Sequence, residues 1–437
     1  MNVLLLDSAG SFTDFAIKLM SQGHKVKQWI KPGRYGASPI GEGLISRITN
    51  WEAHMDWADI TVLSDNAHQV HLLEKYHKKG YPIVGASNVS SDLELDRGFG
   101  MDILEKAGLD VIPSVTYESY NEAIAAVKAK PIRYVSKPSG DADKALSYVS
   151  NSAADMVFML EKWKRSGNLK QPFILQEFTP GIEVAVGGWF GPHGFNKLIT
   201  ENFEFKKLMP SNYGVNTGEM GTVLKYVKES KLYDDTLSKV EDYLSYISYV
   251  GYVDLAFIID DSSCSPRPLE WTTRPGWPLF NIQTALHKGD PVEWMLDLVN
   301  GKDTLKASDK IAVGVVAAIP DFPFTKQTGR DPTNYPIYGL EKVMDDIHLC
   351  EVKMGKGPIM RDGKIVEEAM LVTAGDYVLV TTGTATTVKE AAKKAYEVMD
   401  CIKIPNSLIV RDDIGERLEK DLPKLEKLGY CTEFTYE

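Results

Sequence analysis

Cysteine is scarce in this chain: Cys264, Cys350, Cys401 and Cys431 are scattered, and no two form a CxxC pair. That argues against a disulfide framework or a zinc ribbon and for free thiols in a reducing compartment. Long apolar runs are missing too. No stretch approaches the roughly 18 apolar residues that a membrane helix needs. The opening MNVLLLDSAG carries no basic leader and reads as a strand rather than a signal peptide. The expectation is a cytoplasmic protein without a membrane partner. Positive charge is in deficit: 49 Lys and Arg against 60 Asp and Glu leave a net charge of -11. A non-specific nucleic-acid binder needs a basic face, and the total gives no sign of one. Histidine is also rare, and His68 and His71, spaced i,i+3, have no third metal ligand near them in sequence.

What is present is a length of 437 residues with ordinary globular composition, enough for about two to four domains. The apolar run Asn2 to Leu6, a Gly-bearing turn and a helical stretch from Phe12 to Ser21 open the chain, and strand-like segments recur at Lys25 to Ile30, 60–64 and 82–85. Strands alternating with helices predict a parallel α/β domain over 1–90. Residues 91–305 are predicted to form a larger α+β core, with a mobile lid at about 113–180. Residues 306–437 are expected to form a mixed α+β domain. Single helices are expected over 92–108, 231–249 and 280–299, and another from Thr387 to Asp400 with a Thr cap.

Four segments carry candidate chemistry. In GYVDLAFIIDDSSCSPRPLEWTTRPG, residues 251–276, two strands flank an acidic turn. Asp254 lies on one strand; Glu270, Thr272 and Arg274 follow at steps of two on the other, so they share a face. Paired carboxylates suit a hard Mg²⁺ ion, and the arginine suits a transferring phosphoryl group. The bland alternative is a solvated acidic hairpin end. In RYVSKPSGDADK, Lys137 ends a strand and suits an ATP phosphate, with Gly140 and Lys144 in a loop beyond it. In ILQEFTPGIEVAV, Gln176, Glu177 and Phe178 offer an extended backbone for adenine, and Glu183 a carboxylate for ribose hydroxyls. In NYGVNTGEMG, glycines bring backbone N–H groups close to an anionic ligand.

These segments occur in the order found in the ATP-grasp superfamily, and nearly the whole chain resembles the phosphoribosylamine–glycine ligase (glycinamide ribonucleotide synthetase) family. The stretch GTATTVKEAAKKAYEVMDCIKIPNSLIVRDDIG, residues 383–415, is similar to that family's closing segment. The resemblance implies an ATP-grasp core between an N-terminal parallel α/β domain and a C-terminal mixed domain, α/β and α+β in class. It implies ATP and Mg²⁺, or Mn²⁺ in its place, as cofactors. Lys137 matches the phosphate-binding lysine, Gln176 and Glu177 the adenine hinge, and Glu183 the ribose-binding glutamate. Asn216, Thr217, Gly218 and Glu219, continuing to Gly221, match NTGGMG on the substrate side, with Glu219 replacing a glycine. Glu270 matches the metal-binding glutamate, Thr272 stands where that family has asparagine, and Arg274 and Gly276 are retained. Asp254 resembles the metal aspartate of D-alanine–D-alanine ligases.

The departures cluster on the substrate side. The GxGGREHA loop reads DSAGSFTDFA, which keeps Gly10 and Ser11 but has no Arg-Glu-His. Arg97 stands where the family has a phosphate-contacting lysine, and Trp277-Pro278-Leu279 replaces an acidic D-P-E. The resemblance implies ATP-dependent ligation of a small carboxylate, glycine, to the amine of phosphoribosylamine through an acyl phosphate. Lys137, Arg97 and Arg274 would steady the moving phosphoryl group. Two other readings stay open: a ligase for another amine, such as a modified nucleotide or a DNA base, and an inactive ATP-binding scaffold. A monomer or a homodimer is expected.

Overall fold

The computed structural model describes residues 1–32, 38–66, 68–138, 147–166, 172–405 and 407–437. Strands β1 (Asn2–Leu6), β2 (Lys25–Trp29), β3 (Arg47–Ile48), β4 (Ile60–Leu63) and β5 (Ile83–Val84) form a parallel sheet in the order β3-β2-β1-β4-β5. The continuous apolar run of β1 follows from burial on both faces. Val3 and Leu5 pack with Phe12, Phe15 and Leu19 on one side, and Leu4 and Leu6 pack with Trp51, Met55 and Leu73 on the other.

The single helix expected over 92–108 is two, Asn88–Leu95 and Arg97–Lys106. Asp96 leaves helical geometry between them at φ -98°, ψ 91°, and its carboxylate caps the second helix by accepting the Phe99 N–H at 3.0 Å. The break sets Arg97 in the first turn of the second helix.

Four antiparallel strands follow: β6 (Ser114–Tyr117), β7 (Tyr134–Pro138), β8 (Tyr148–Val149) and β9 (Phe173–Glu177), in the order β6-β9-β7-β8. Helices Tyr120–Ala129 and Ala153–Ser166 close over them through a small core of Ile124, Val127, Met156, Leu160, Trp163 and Phe173.

The main sheet begins with β10 (Gly181–Gly191) and β11 (Gly194–Glu204). A short hairpin of β12 (Lys207–Met209) and β13 (Tyr213–Asn216) leads to β14 (Gly221–Val227), then β15 (Gly251–Asp260) and β16 (Pro266–Thr272). The pair β17 (His287–Lys288) and β18 (Lys306–Ala307) precedes β19 (Ile311–Ala318) and β20 (Ile347–Leu349). Next comes a long ribbon of β21 (Val352–Arg361) and β22 (Lys364–Thr373), and then β23 (Tyr377–Ala385). Eight of these strands form one sheet in the order β16-β15-β10-β11-β14-β19-β23-β20. The sheet therefore runs from residue 181 to residue 385, with β19, β20 and β23 continuing it antiparallel beyond β14.

Two further helices are broken where the composition suggests continuity. Residues 231–249 fold as Lys231–Asp235, a 3-10 turn at Leu237–Val240, and Glu241–Tyr246. Thr236, at φ -135°, ψ -82°, turns its hydroxyl back to the Leu232 carbonyl. The stretch 280–299 divides into Leu279–Leu286 and Pro291–Val299, because Gly289 adopts φ +82° and Asp290 caps the second helix on the Val292 N–H at 2.8 Å. The helix Val388–Cys401 starts on the Thr387 side chain, which accepts the Glu390 N–H at 3.2 Å. Among the described residues no helix is long and apolar enough to cross a membrane.

Candidate active site

The β15–β16 hairpin sets the site by register. Asp254 pairs with Thr272 and Ala256 with Glu270, so these four share one face of the sheet. The alternate residues Leu255, Phe257 and Trp271 fill the core on the other face. Each such side chain contributes about 2–3 kcal/mol of burial to holding the hairpin. On the neighbouring strand Gly187 pairs with Asp254 and Glu183 with Ile258. Three carboxylates from β10, β11 and β16 then meet one cation: Lys206 Nζ lies 2.9 Å from Glu183 Oε1, from Glu204 Oε2 and from Glu270 Oε1. Burial alone lowers the Lys206 pKa, but the carboxylates outweigh it and hold the ammonium above its ordinary value.

Two more cations close on Glu270. Arg97 Nη1 is 3.2 Å from Glu270 Oε2, and Arg97 Nε donates to the Pro138 carbonyl at 3.2 Å. Lys137, at the end of β7, donates to the Leu269 carbonyl at 3.1 Å. Burial, reinforced by the Arg97 and Lys206 charges, lowers the Lys137 pKa to about 8. Lys137, Arg97 and Lys206 thus gather around one carboxylate, where a polyanion would find ready charge compensation.

Asp254 is placed differently. It is buried, and its Oδ2 accepts from Asn202 Nδ2 at 2.8 Å and Tyr252 Oη at 2.9 Å. Burial, with the nearby Glu204 charge, raises its pKa to about 7. Among the described residues no three His, Cys, Asp or Glu side chains form a ready cage for a metal ion. Arg274 forms its ion pair with Glu94, at 3.0 Å through Nη2 and 3.2 Å through Nε. Glu94 also accepts the Thr273 N–H at 2.9 Å and Asn66 Nδ2 at 2.8 Å.

At the hinge, Gln176 is buried, Glu177 pairs with Lys130, and the Phe178 ring lies 3.5 Å from the Arg133 guanidinium carbon. The N–H groups of Glu177 and Phe178 donate to the carbonyls of Pro113 (2.9 Å) and Arg133 (3.0 Å), so both donors are engaged within the lid. Gly140 and Lys144 lie outside the described residues.

The 216–221 loop folds onto the lysine. Thr217 donates to the Lys206 carbonyl through both its N–H and its hydroxyl, each at 2.8 Å, and the Met220 N–H donates to the Phe205 carbonyl at 2.8 Å. Asn216 Nδ2 reaches the Ser147 carbonyl at 3.1 Å, Glu219 is buried, and the Glu219 carbonyl accepts from Tyr377 Oη at 3.3 Å. Gly218 is sterically open, whereas a Cβ on Gly276 would press to 3.0 Å against Leu279. In the first loop the N–H groups of Gly10 and Ser11 donate to Asp7 at 3.1 and 3.0 Å.

Lys206, Glu204, Glu94 and Asp7 do not stand out as site residues in the sequence. The signal for the first two was Asn202-Phe203-Glu204-Phe205-Lys206, polar and aromatic residues alternating at strand spacing.

The parallel sheet, the four-stranded sheet and the long antiparallel sheet make a multidomain α/β architecture consistent with the ATP-grasp fold, and the comparisons with known proteins point the same way. No family model matches the chain. The phosphoribosylamine–glycine ligase of Clostridium acetobutylicum is 24% identical over 445 residues, covering 95% of this chain and 100% of that protein. The crystal structure of the phosphoribosylamine–glycine ligase of Thermotoga maritima superposes with a TM-score of 0.71 at 21% identity, covering 95% of this chain and 100% of that one. An L-amino acid ligase from Bacillus licheniformis gives a TM-score of 0.57 at 13% identity over 93% of this chain and 99% of that one. Ligases acting on different substrates thus share the fold.

Proposed function

We propose that the chain is an ATP-dependent carboxylate–amine ligase that forms an amide through an acyl phosphate. The observation that carries this is the meeting of Lys137, Arg97 and Lys206 around Glu270, beneath the lid. The donor set fits a divalent cation in part: Glu270 and Glu183 offer carboxylate oxygens, and ATP phosphate oxygens would complete the shell. Mg²⁺, or Mn²⁺, held there would neutralise phosphate charge.

The protein's own residues do the rest. A carboxylate oxygen of the acid attacks the γ-phosphorus of ATP, and ADP leaves. Lys137 and Arg97 offset the charge that spreads over the moving phosphoryl group. The amine nitrogen then attacks the acyl carbon, inorganic phosphate leaves, and the nitrogen gives up a proton. No covalent enzyme intermediate is needed; the chain aligns the reactants and excludes water from the acyl phosphate. Strands β6, β7, β8 and β9, tied to the 216–221 loop through Asn216 and Ser147, would serve as the lid that excludes water.

Glycine and phosphoribosylamine, the pair in the relatives' names, are the first substrates to test. A second reading, the same chemistry on another amine, is favoured by the first loop, where Asp7 takes up the N–H groups of Gly10 and Ser11. The decisive assay incubates the protein with ATP, Mg²⁺ and glycine, adds phosphoribosylamine or a panel of amines, and follows ADP and product mass. Amine-dependent ADP release with an amide product is expected. ATP binding without amine-dependent turnover would leave an inactive scaffold and sink the ligase reading.

A further inference from the structure

The turn after β1 gathers six hydrogen-bond donors around one point. Asp7 Oδ1 accepts from the Gly10 N–H (3.1 Å), the Ser11 N–H (3.0 Å), Ser11 Oγ (3.0 Å) and Ser64 Oγ (2.7 Å). Asp7 Oδ2 accepts from the Phe12 N–H (2.8 Å) and Gln28 Nε2 (2.6 Å). Three of these donors are successive backbone N–H groups at the entry to the helix Thr13–Ser21, at the carboxyl ends of parallel strands. That is where doubly wound sheets bind anions. Here a carboxylate of the chain itself takes up the donors, and the Asp7 side chain is completely enclosed.

The loop also borders the ligation site. Asn66, just beyond β4, donates to Thr273 Oγ1 at 3.1 Å and to Glu94, the partner of Arg274. Arg274 lies in the field of both Asp65 and Glu270, which links the loop to the charge cluster. Phe12 packs against Phe280, 5.2 Å between centroids, on the helix that follows Trp277-Pro278.

We infer that Asp7 is a resident anion that fills this donor cage and bars a phosphate group from it, so that the amine acceptor carries no phosphate at this end. A phosphate would need the same six donors, and two anions at hydrogen-bond separation repel strongly in a buried site. Displacing Asp7 would leave a buried carboxylate without its partners. Asp65 adds negative charge at the mouth, accepting from the Ser8 N–H at 3.2 Å and Ser8 Oγ at 2.6 Å. An uncharged or cationic amine suits that field, and a phosphomonoester does not. The word acceptor rests on the ligase reading; the exclusion of phosphate from the loop does not.

Amide resonances of Gly10, Ser11 and Phe12 in ¹⁵N-labelled full-length protein, titrated with inorganic phosphate, report on the loop itself. They are expected to stay unmoved in the natural chain and to shift in Asp7→Ser, where the cage is vacated. Phosphate-induced shifts of those three amides in the natural chain would overturn the inference, and that arm decides even where Asp7→Ser does not fold. A second arm compares ethanolamine with phosphoethanolamine, and phosphoribosylamine with amines lacking phosphate, by amine-dependent ADP release. The unphosphorylated members are expected to win by at least about tenfold in kcat/KM. Preference for the phosphorylated members also overturns it. If no amine releases ADP, the ligase reading fails, and the resonance arm still decides the loop.

Discussion

At the residue scale the site turns on Lys206, the ammonium that, among the described residues, Glu183, Glu204 and Glu270 share at 2.9 Å. Replacing it with Ala leaves three carboxylates facing one another and removes a charge beside Lys137. Lys206→Ala should cut kcat by roughly 10²-fold or more, and Lys206→Arg should recover part of it. Glu270→Gln, which unties both Arg97 and Lys206, should abolish ADP release, and near-normal turnover would refute the assignment of Glu270. A different residue contributes to the pH dependence of stability. Glu201 is 2% exposed, accepts from Ser230 Oγ at 2.7 Å, and is pushed up to about 7 by burial, with Glu433 adding to the rise. Its folded pKa lies above its unfolded one, so the stability it supports is full below about pH 4.5 and is lost as pH rises toward 7. The loss is on the order of 3 kcal/mol at most. Urea midpoints between pH 5 and 8 should therefore fall more steeply in the natural chain than in Glu201→Gln, and parallel curves would refute this.

At the element scale the β10–β15 register does most to shape the site, and one glycine keeps it closed. A Cβ on Gly187 would lie 2.3 Å from Tyr252 Oη and 2.5 Å from Asp254 Oδ2. Gly187→Ala should displace both side chains and cost about 1–3 kcal/mol of stability, measured as a lower urea midpoint; an unchanged midpoint would mean that the strands slide apart at little cost. What was legible in the sequence follows the same geometry. The common face of Asp254, Glu270 and Thr272 could be read directly, because a strand repeats every two residues. The full cluster on Lys206 could not, since two of its three partners, Glu183 and Glu270, lie 23 and 64 residues away in the chain, on strands made neighbours only by the order β16-β15-β10-β11. The stretches 92–108, 231–249 and 280–299 each break into shorter helices for a local reason. Asp96, Thr236 and Gly289 each take a backbone conformation that composition averaged over a window does not reveal.

At the scale of the whole molecule, the main sheet does not stop where the charge cluster does. Strands β19, β23 and β20 extend it past residue 306, and β19 pairs with β14 from Gly221 to Lys225, directly after the 216–221 loop. The carboxyl-terminal residues also reach the site's backbone. Arg417 donates to the Glu183 carbonyl at 3.4 and 3.3 Å and to the Glu204 carbonyl at 3.4 Å, while pairing with Asp421 at 3.0 Å. Arg411, 1% exposed, holds the Lys207 carbonyl at 3.1 Å and Asn212 at 2.9 Å. The Arg417 contacts and the Arg411 contact with Lys207 tie β10, β11 and the backbone just after Lys206 to residues more than 200 positions later in the chain. Cutting at residue 305 would strip β14 of its β19 partner and expose Val223 and Leu224, both fully buried now. An unpaired apolar edge of that kind aggregates. The fragment 1–305 should therefore show no cooperative thermal transition by circular dichroism and bind no nucleotide. Co-expression with 306–437 should restore both in part. A fragment 1–305 that melts cooperatively and binds ATP would mean that the shared sheet is dispensable and that the site stands on its first 305 residues alone.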